Sequence, residues 1–100
     1  SPSVTAVATP GHTPGHTSFA ITSGAARGYI LGDVVLSKID AEAPGFVTSF
    51  DWDRLMAVET RRRVIASLAT SQALVGASHL PAPGFGRFAM GPGGSRWEAD

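Results

Sequence analysis

Thr9-Pro10-Gly11-His12-Thr13-Pro14-Gly15-His16 is the stretch on which the reading of this chain turns. Each Pro-Gly pair marks a tight turn, and each turn delivers a histidine at a fixed angle. The short β-prone run Val4 to Ala8 precedes the octapeptide and stops at Pro10, so the histidines fall in a loop at a strand end. A carboxylate follows at Gly32-Asp33 and a third histidine at Ser78-His79, again after predicted strands. Imidazole and carboxylate donors together suit a borderline metal such as zinc.

The spacing excludes local chelation. His12 and Asp33 are 33 − 12 = 21 positions apart, and Asp33 and His79 are 79 − 33 = 46 apart. Such gaps close only through the fold, and loops at neighbouring strand ends close them well, because the strands fix the base from which each side chain is aimed.

Outward from the octapeptide, Thr17 to Thr22 reads as a second strand, with Phe19 and Ile21 on one face. Ser23-Gly24 is a turn, and Arg27 to Leu31 a third strand with Tyr29 and Leu31 on one face. Ser37 to Ser49 has no period and is expected to be a loop with aromatic tips at Phe46 and Phe50. Asp51 or Ser49 is expected to cap the helix that follows, and Asp53 is assigned to the same first turn. That helix presents Leu55, Val58, Ile65 and Leu68 on one face, with Arg61 and Arg63 elsewhere. Arg61-Arg62-Arg63 reads as a solvated face with one buried pairing at most. Ala73 to Ala77 is a short buried strand, Pro81 to Gly86 a rigid loop, and the segments around the turn Gly91 to Gly94 a terminal hairpin.

Composition bounds the rest. One hundred residues with 43% apolar content make one globular domain at most. Eight basic and eight acidic residues leave no surplus for a nucleic-acid surface. No apolar run reaches the roughly 18 residues of a membrane span, so the segment is expected to be soluble. Cysteine is absent, which excludes disulfides and thiolate ligands. Ser1 to Thr5 does not resemble a signal peptide, and the compartment stays open. The glycines at 84, 86, 91, 93 and 94 form no phosphate loop, because no lysine follows in register.

The ordered set T-P-G-H-T-P-G-H, then G-D, then S-H-L-P resembles the C-terminal half of metallo-β-lactamase-fold hydrolases. Within them it is similar to the methyl parathion hydrolase and N-acyl-homoserine lactonase branch, and His79 to Arg87 with Trp97 is similar to the tail of the parathion hydrolase-like members. The resemblance implies an α/β (α+β) fold: half of an αββα sandwich, mostly antiparallel strands with one main helix. It also implies a binuclear site of two divalent metals, zinc first, with manganese, iron or cobalt as alternatives. His12 is then a ligand of one metal, His79 of the other, and Asp33 the bridging and catalytic carboxylate. A hydroxide shared by the metals would attack an ester, lactone or organophosphate. His16 is assigned a supporting role beside the ligands and Phe85 a place in the substrate pocket.

The chain departs from the family in one respect. The H-x-H-x-D-H motif, which supplies the other four ligands, is absent from these 100 residues. It is expected upstream, in the missing N-terminal half, so this segment alone should bind metal weakly and hydrolyse little. The alternative is a non-catalytic half-domain whose open sheet associates with another chain; a homo-oligomer is left open.

Overall fold

The computed structural model describes residues 3–43, 45, 51–80, 84–92 and 94–100. Strands β1 (Ser3–Ala8), β2 (Thr17–Ser23) and β3 (Ala26–Ile30) form an antiparallel meander. A 3₁₀ turn at Gly32–Val34 and helices α1 (Lys38–Glu42) and α2 (Arg54–Ser71) follow. The chain then returns to β4 (Leu74–Gly76), which pairs with β3 in parallel. A parallel neighbour requires a crossover, and α2 lies within it. Strands β5 (Phe85–Gly91) and β6 (Gly94–Ala99) close the sheet as an antiparallel hairpin. The six strands lie in sequence order.

One face of the sheet carries the core. Leu31, Val75, Phe88 and Trp97 pack with Val64, Ile65 and Leu68 of α2, and Tyr29 lies against the cluster. Phe88 is fully buried and meets Trp97 edge-on at 5.1 Å between ring centroids. Helix α1 is fixed to β6 by two bonds: the Ser95 hydroxyl donates to the Ala41 carbonyl at 2.6 Å, and the Trp97 amide donates to Glu42 Oε2 at 3.1 Å.

The opposite face is different. Register places Val4, Phe19, Ile30, Gly76 and Phe85 on one side of the sheet. A side chain at Gly76 would meet both Ile30 and Phe85. Val4, Phe19, Ile30 and Phe85 are all exposed. Toward β6 the same side turns polar, with Arg87 paired to Asp100 and Arg96 to Glu98. An exposed apolar zone bounded by charged pairs has the character of a face shaped for burial.

Three expectations need correction. Residues 38–42 are helical, because a single turn packs its Ala41 into the core; a five-residue helix is too short to show a period in sequence. Helix α2 is capped by Asp53, whose Oδ1 accepts from the Met56 amide at 3.0 Å; Asp51 lies outside the cap and Ser49 outside the described residues. The buried face of α2 is Ala57, Thr60, Arg61, Val64, Ile65 and Leu68, an i, i+3, i+4 stripe. Leu55 falls off that stripe and is 81% exposed, whereas Arg61 falls on it and is fully buried. Phe46 and Phe50 lie outside the described residues. No described helix is long and apolar enough to cross a membrane.

Asp53→Ala should remove the cap and lower stability by about 1 kcal/mol, read by chemical denaturation.

Candidate metal centre

The octapeptide loop is held against the first turns of α2. The Trp52 amide donates to the His12 carbonyl and the Asp53 amide to the Gly11 carbonyl, each at 2.9 Å. The Thr60 hydroxyl donates to the Pro10 carbonyl at 2.7 Å. Gly11 sits at φ +141°, and a side chain there would land on the Ala57 backbone, so the close approach of loop to helix requires glycine.

A buried polar chain fixes the other side of the loop. The Ser18 hydroxyl donates to the Leu31 carbonyl at 3.0 Å, which leaves its oxygen to accept from the Thr9 hydroxyl at 2.9 Å. The Thr9 oxygen in turn stands 2.9 Å from His16 Nδ1. The Asp33 amide donates to His16 Nε2 at 2.8 Å. His16 Nε2 is therefore an acceptor, and its ring proton sits on Nδ1, facing the Thr9 hydroxyl and carbonyl. His16 is thus committed to holding the Asp33 backbone. Gly32 adjoins it at φ +65°, where a side chain would strike the His16 ring.

His12, Asp33 and His79 meet. His12 Nε2 lies 3.4 Å from Asp33 Oδ2, and His79 Nε2 lies 2.6 Å from Asp33 Oδ1. The three come from the β1–β2 loop, the 3₁₀ turn and the segment after β4. With Leu36 they line a cleft of about 340 Å³. Gly32 and Ser78, their neighbours in sequence, line a second cleft of about 480 Å³ with Ile30, Leu80 and Phe85. Phe85 is 51% exposed, its ring beside Gly76 on the open face of the sheet.

Two further residues join the site that the sequence reading placed elsewhere. Asp51 Oδ1 lies 3.1 Å from His12 Nδ1, and Asp51 Oδ2 lies 3.4 Å from Arg61 Nη2. Arg61 Nε also donates to the Val34 carbonyl at 2.9 Å. The available signal was an arginine in phase with Ala57, Val64, Ile65 and Leu68: a charge on a buried stripe demands a partner.

The donor types, two imidazoles and a carboxylate, are ones that zinc accepts. A ligand imidazole is commonly tied through its second nitrogen to a carboxylate, as His12 is to Asp51. As a cage the set is incomplete, and among the described residues no three such side chains stand ready to hold an ion. Donors at about 2.0–2.1 Å from one tetrahedral zinc ion stand roughly 3.3 Å apart. The His12–Asp33 separation matches that figure, while the 2.6 Å contact of His79 with Asp33 is a direct hydrogen bond.

No protein-family model matches the sequence, and no curated protein is significantly similar to it. Solved structures do match. A hydrolase of the β-lactamase superfamily, AbOPH, is 31% identical and superposes with a TM-score of 0.92 over 97% of this chain and 34% of its own. This chain carries part of the metallo-β-lactamase fold. AidC, a dizinc quorum-quenching lactonase solved with N-hexanoyl-L-homoserine as product, is 32% identical, with a TM-score of 0.90 over 97% of this chain and 33% of its own. A probable metal-dependent hydrolase from Staphylococcus aureus shares the fold at 18% identity and a TM-score of 0.77, over 97% of this chain and 36% of its own. The chain therefore spans about a third of the length of these metallo-β-lactamase-fold proteins.

Proposed function

We propose that residues 1–100 are the C-terminal part of a binuclear metal-dependent hydrolase that cleaves an ester, lactone or phosphotriester. The observation that carries this reading is the convergence of His12 and His79 on the two oxygens of one carboxylate, Asp33. The 31–32% identity to a β-lactamase-superfamily hydrolase and to a dizinc lactonase supports it.

His12 and His79 would each hold a cation through Nε2, and Asp33 would bridge the pair. Zinc is the first choice, with manganese, iron or cobalt as alternatives. When bound, the cations supply Lewis acidity toward a carbonyl or phosphoryl oxygen and make a water acidic enough to attack near neutral pH. The residues of the chain do the positioning. Asp51 holds the proton of His12 on Nδ1 and so leaves Nε2 as the donor. His16 anchors the Asp33 amide, which fixes the carboxylate at the mouth of the cleft. Asp33 orients the attacking water and accepts its proton on a carboxylate oxygen. Phe85, with Leu80, offers an apolar wall to the acyl or alkoxy part of the substrate.

The remaining donors, the H-x-H-x-D-H set, come from chain outside residues 1–100. The exposed apolar side of the sheet, with Phe19 and Ile30, is the surface on which that part would rest. Without it, residues 1–100 bind metal weakly and hydrolyse little.

The test is a zinc titration of this chain followed through the histidine ring nitrogens by long-range ¹H–¹⁵N correlation. Nε2 of His12 and of His79 should shift on zinc addition, while His16 keeps its metal-free signals. Less than one zinc per chain should survive gel filtration. Unresponsive His12 and His79 rings, or two tightly held ions per chain, would overturn the proposal.

A further inference from the structure

Arg61 occupies a position where the helix stripe calls for an apolar residue, between Ala57 and Ile65 in the buried face of α2. Its side chain is 0% exposed and that of Asp51 is 2% exposed. A buried ion pair is seldom more stable than well-packed apolar side chains of the same volume, so stability alone does not account for an arginine here. What an apolar residue cannot do is donate hydrogen bonds in two directions from one rigid plane.

We propose that Arg61 is a positioning residue that sets which nitrogen of His12 faces Asp33. The inference rests on the reading of His12 and Asp33 as metal ligands. One edge of the guanidinium donates to the Val34 carbonyl, in the same 3₁₀ turn as Asp33. Its Nη2 faces Asp51 Oδ2. Arg61 can only donate, so it draws Asp51 Oδ2 toward itself and leaves Oδ1 facing His12. The second oxygen of Asp51 then takes the Nδ1 proton of His12, and Nε2 is the atom left at 3.4 Å from Asp33. A single side chain thereby references the His12 ring to the turn that carries Asp33. The backbone of His12 is fixed independently, by the Trp52 and Asp53 amides on the carbonyls of His12 and Gly11. The contribution of Arg61 is therefore the direction of the ring.

The near-isosteric Asp51→Asn tests this without opening a cavity. Because Arg61 accepts nothing, the amide oxygen of Asn must turn toward the guanidinium and its NH₂ toward His12. His12 Nδ1 then becomes an acceptor, and the ring proton moves to Nε2. The readout is the histidine ring nitrogens in the metal-free chain in alkaline buffer. Wild type should show the His12 proton on Nδ1, and Asp51→Asn should show it on Nε2, with zinc affinity lowered about 10–100-fold. The His16 proton should stay on Nδ1 in both, which reports an intact fold. Adding Arg61→Met to Asp51→Asn leaves nothing beside residue 51 to orient the amide, so His12 should populate both tautomers; Arg61→Lys in the same background, which restores a donor there, should recover the Nε2 form. A His12 proton that stays on Nδ1 in Asp51→Asn overturns the inference. Failure of zinc to shift the wild-type rings overturns the hydrolase reading instead, because the tautomer measurement contains no metal.

Discussion

On the proposed function, Asp33→Ala is expected to abolish zinc uptake by residues 1–100 and to lower kcat/KM of the proposed full-length hydrolase by about 10³-fold, roughly 4 kcal/mol of transition-state stabilisation. The size follows from the position of the carboxylate. Both of its oxygens are engaged, one toward each imidazole, and among the described residues that line the cleft it is the only carboxylate. His12 and His79 meet only through Asp33, and without it two neutral donors face an open cleft. His16→Ser is the contrasting variant. His16 touches Asp33 only through the backbone amide, so its loss should loosen the carboxylate and cost about 10-fold. Metal content by mass spectrometry and kcat/KM should fall together in Asp33→Ala and only slightly in His16→Ser. Equal losses would mean that the roles within the octapeptide are reversed.

The parts of the fold that were legible in sequence are those ruled by local chemistry. Pro10 and the Pro-Gly pairs end β1 and shape the loop, because proline and glycine constrain the backbone whatever surrounds them. The β2–β3 hairpin and the β5–β6 hairpin followed from alternation and from glycine at the turns. The candidate residues His12, Asp33 and His79 stood out because imidazole and carboxylate side chains recur at strand ends, and the fold brings those three side chains together. The Asp51–Arg61 pair was illegible for a specific reason. The helix stripe was read from Leu55, an exposed residue, which rotated the inferred buried face. Started from Ala57, the same count passes through Arg61. A burial phase is decided by what the helix packs against, and the packing partner of this turn is the loop that carries His12. The short α1 was lost for a related cause, since one turn has no period and is held by its contacts with β6.

The two faces of the sheet should respond in opposite ways to substitution. Phe88→Ala should destabilise the isolated chain by about 3–5 kcal/mol, the usual cost of emptying a buried phenylalanine site. Phe88 is 0% exposed, and its ring contact with Trp97 would be lost as well. A domain of this size has about 5–15 kcal/mol of net stability, so the variant should retain little cooperative unfolding. Ile30→Lys, on the other face, should change stability by no more than about 0.5 kcal/mol. Ile30 is already 43% exposed, and a lysine stem can lie along the sheet with its ammonium in water. Urea denaturation of both variants, at two protein concentrations, reads the difference. If Ile30→Lys costs as much as Phe88→Ala, the apolar side is covered in solution; a midpoint that rises with concentration then identifies the cover as a second copy of the chain. If Ile30→Lys is neutral at both concentrations, the face is open in this segment and free to receive the rest of a metallo-β-lactamase sandwich. There the same lysine would be buried without a partner, at a cost of several kcal/mol.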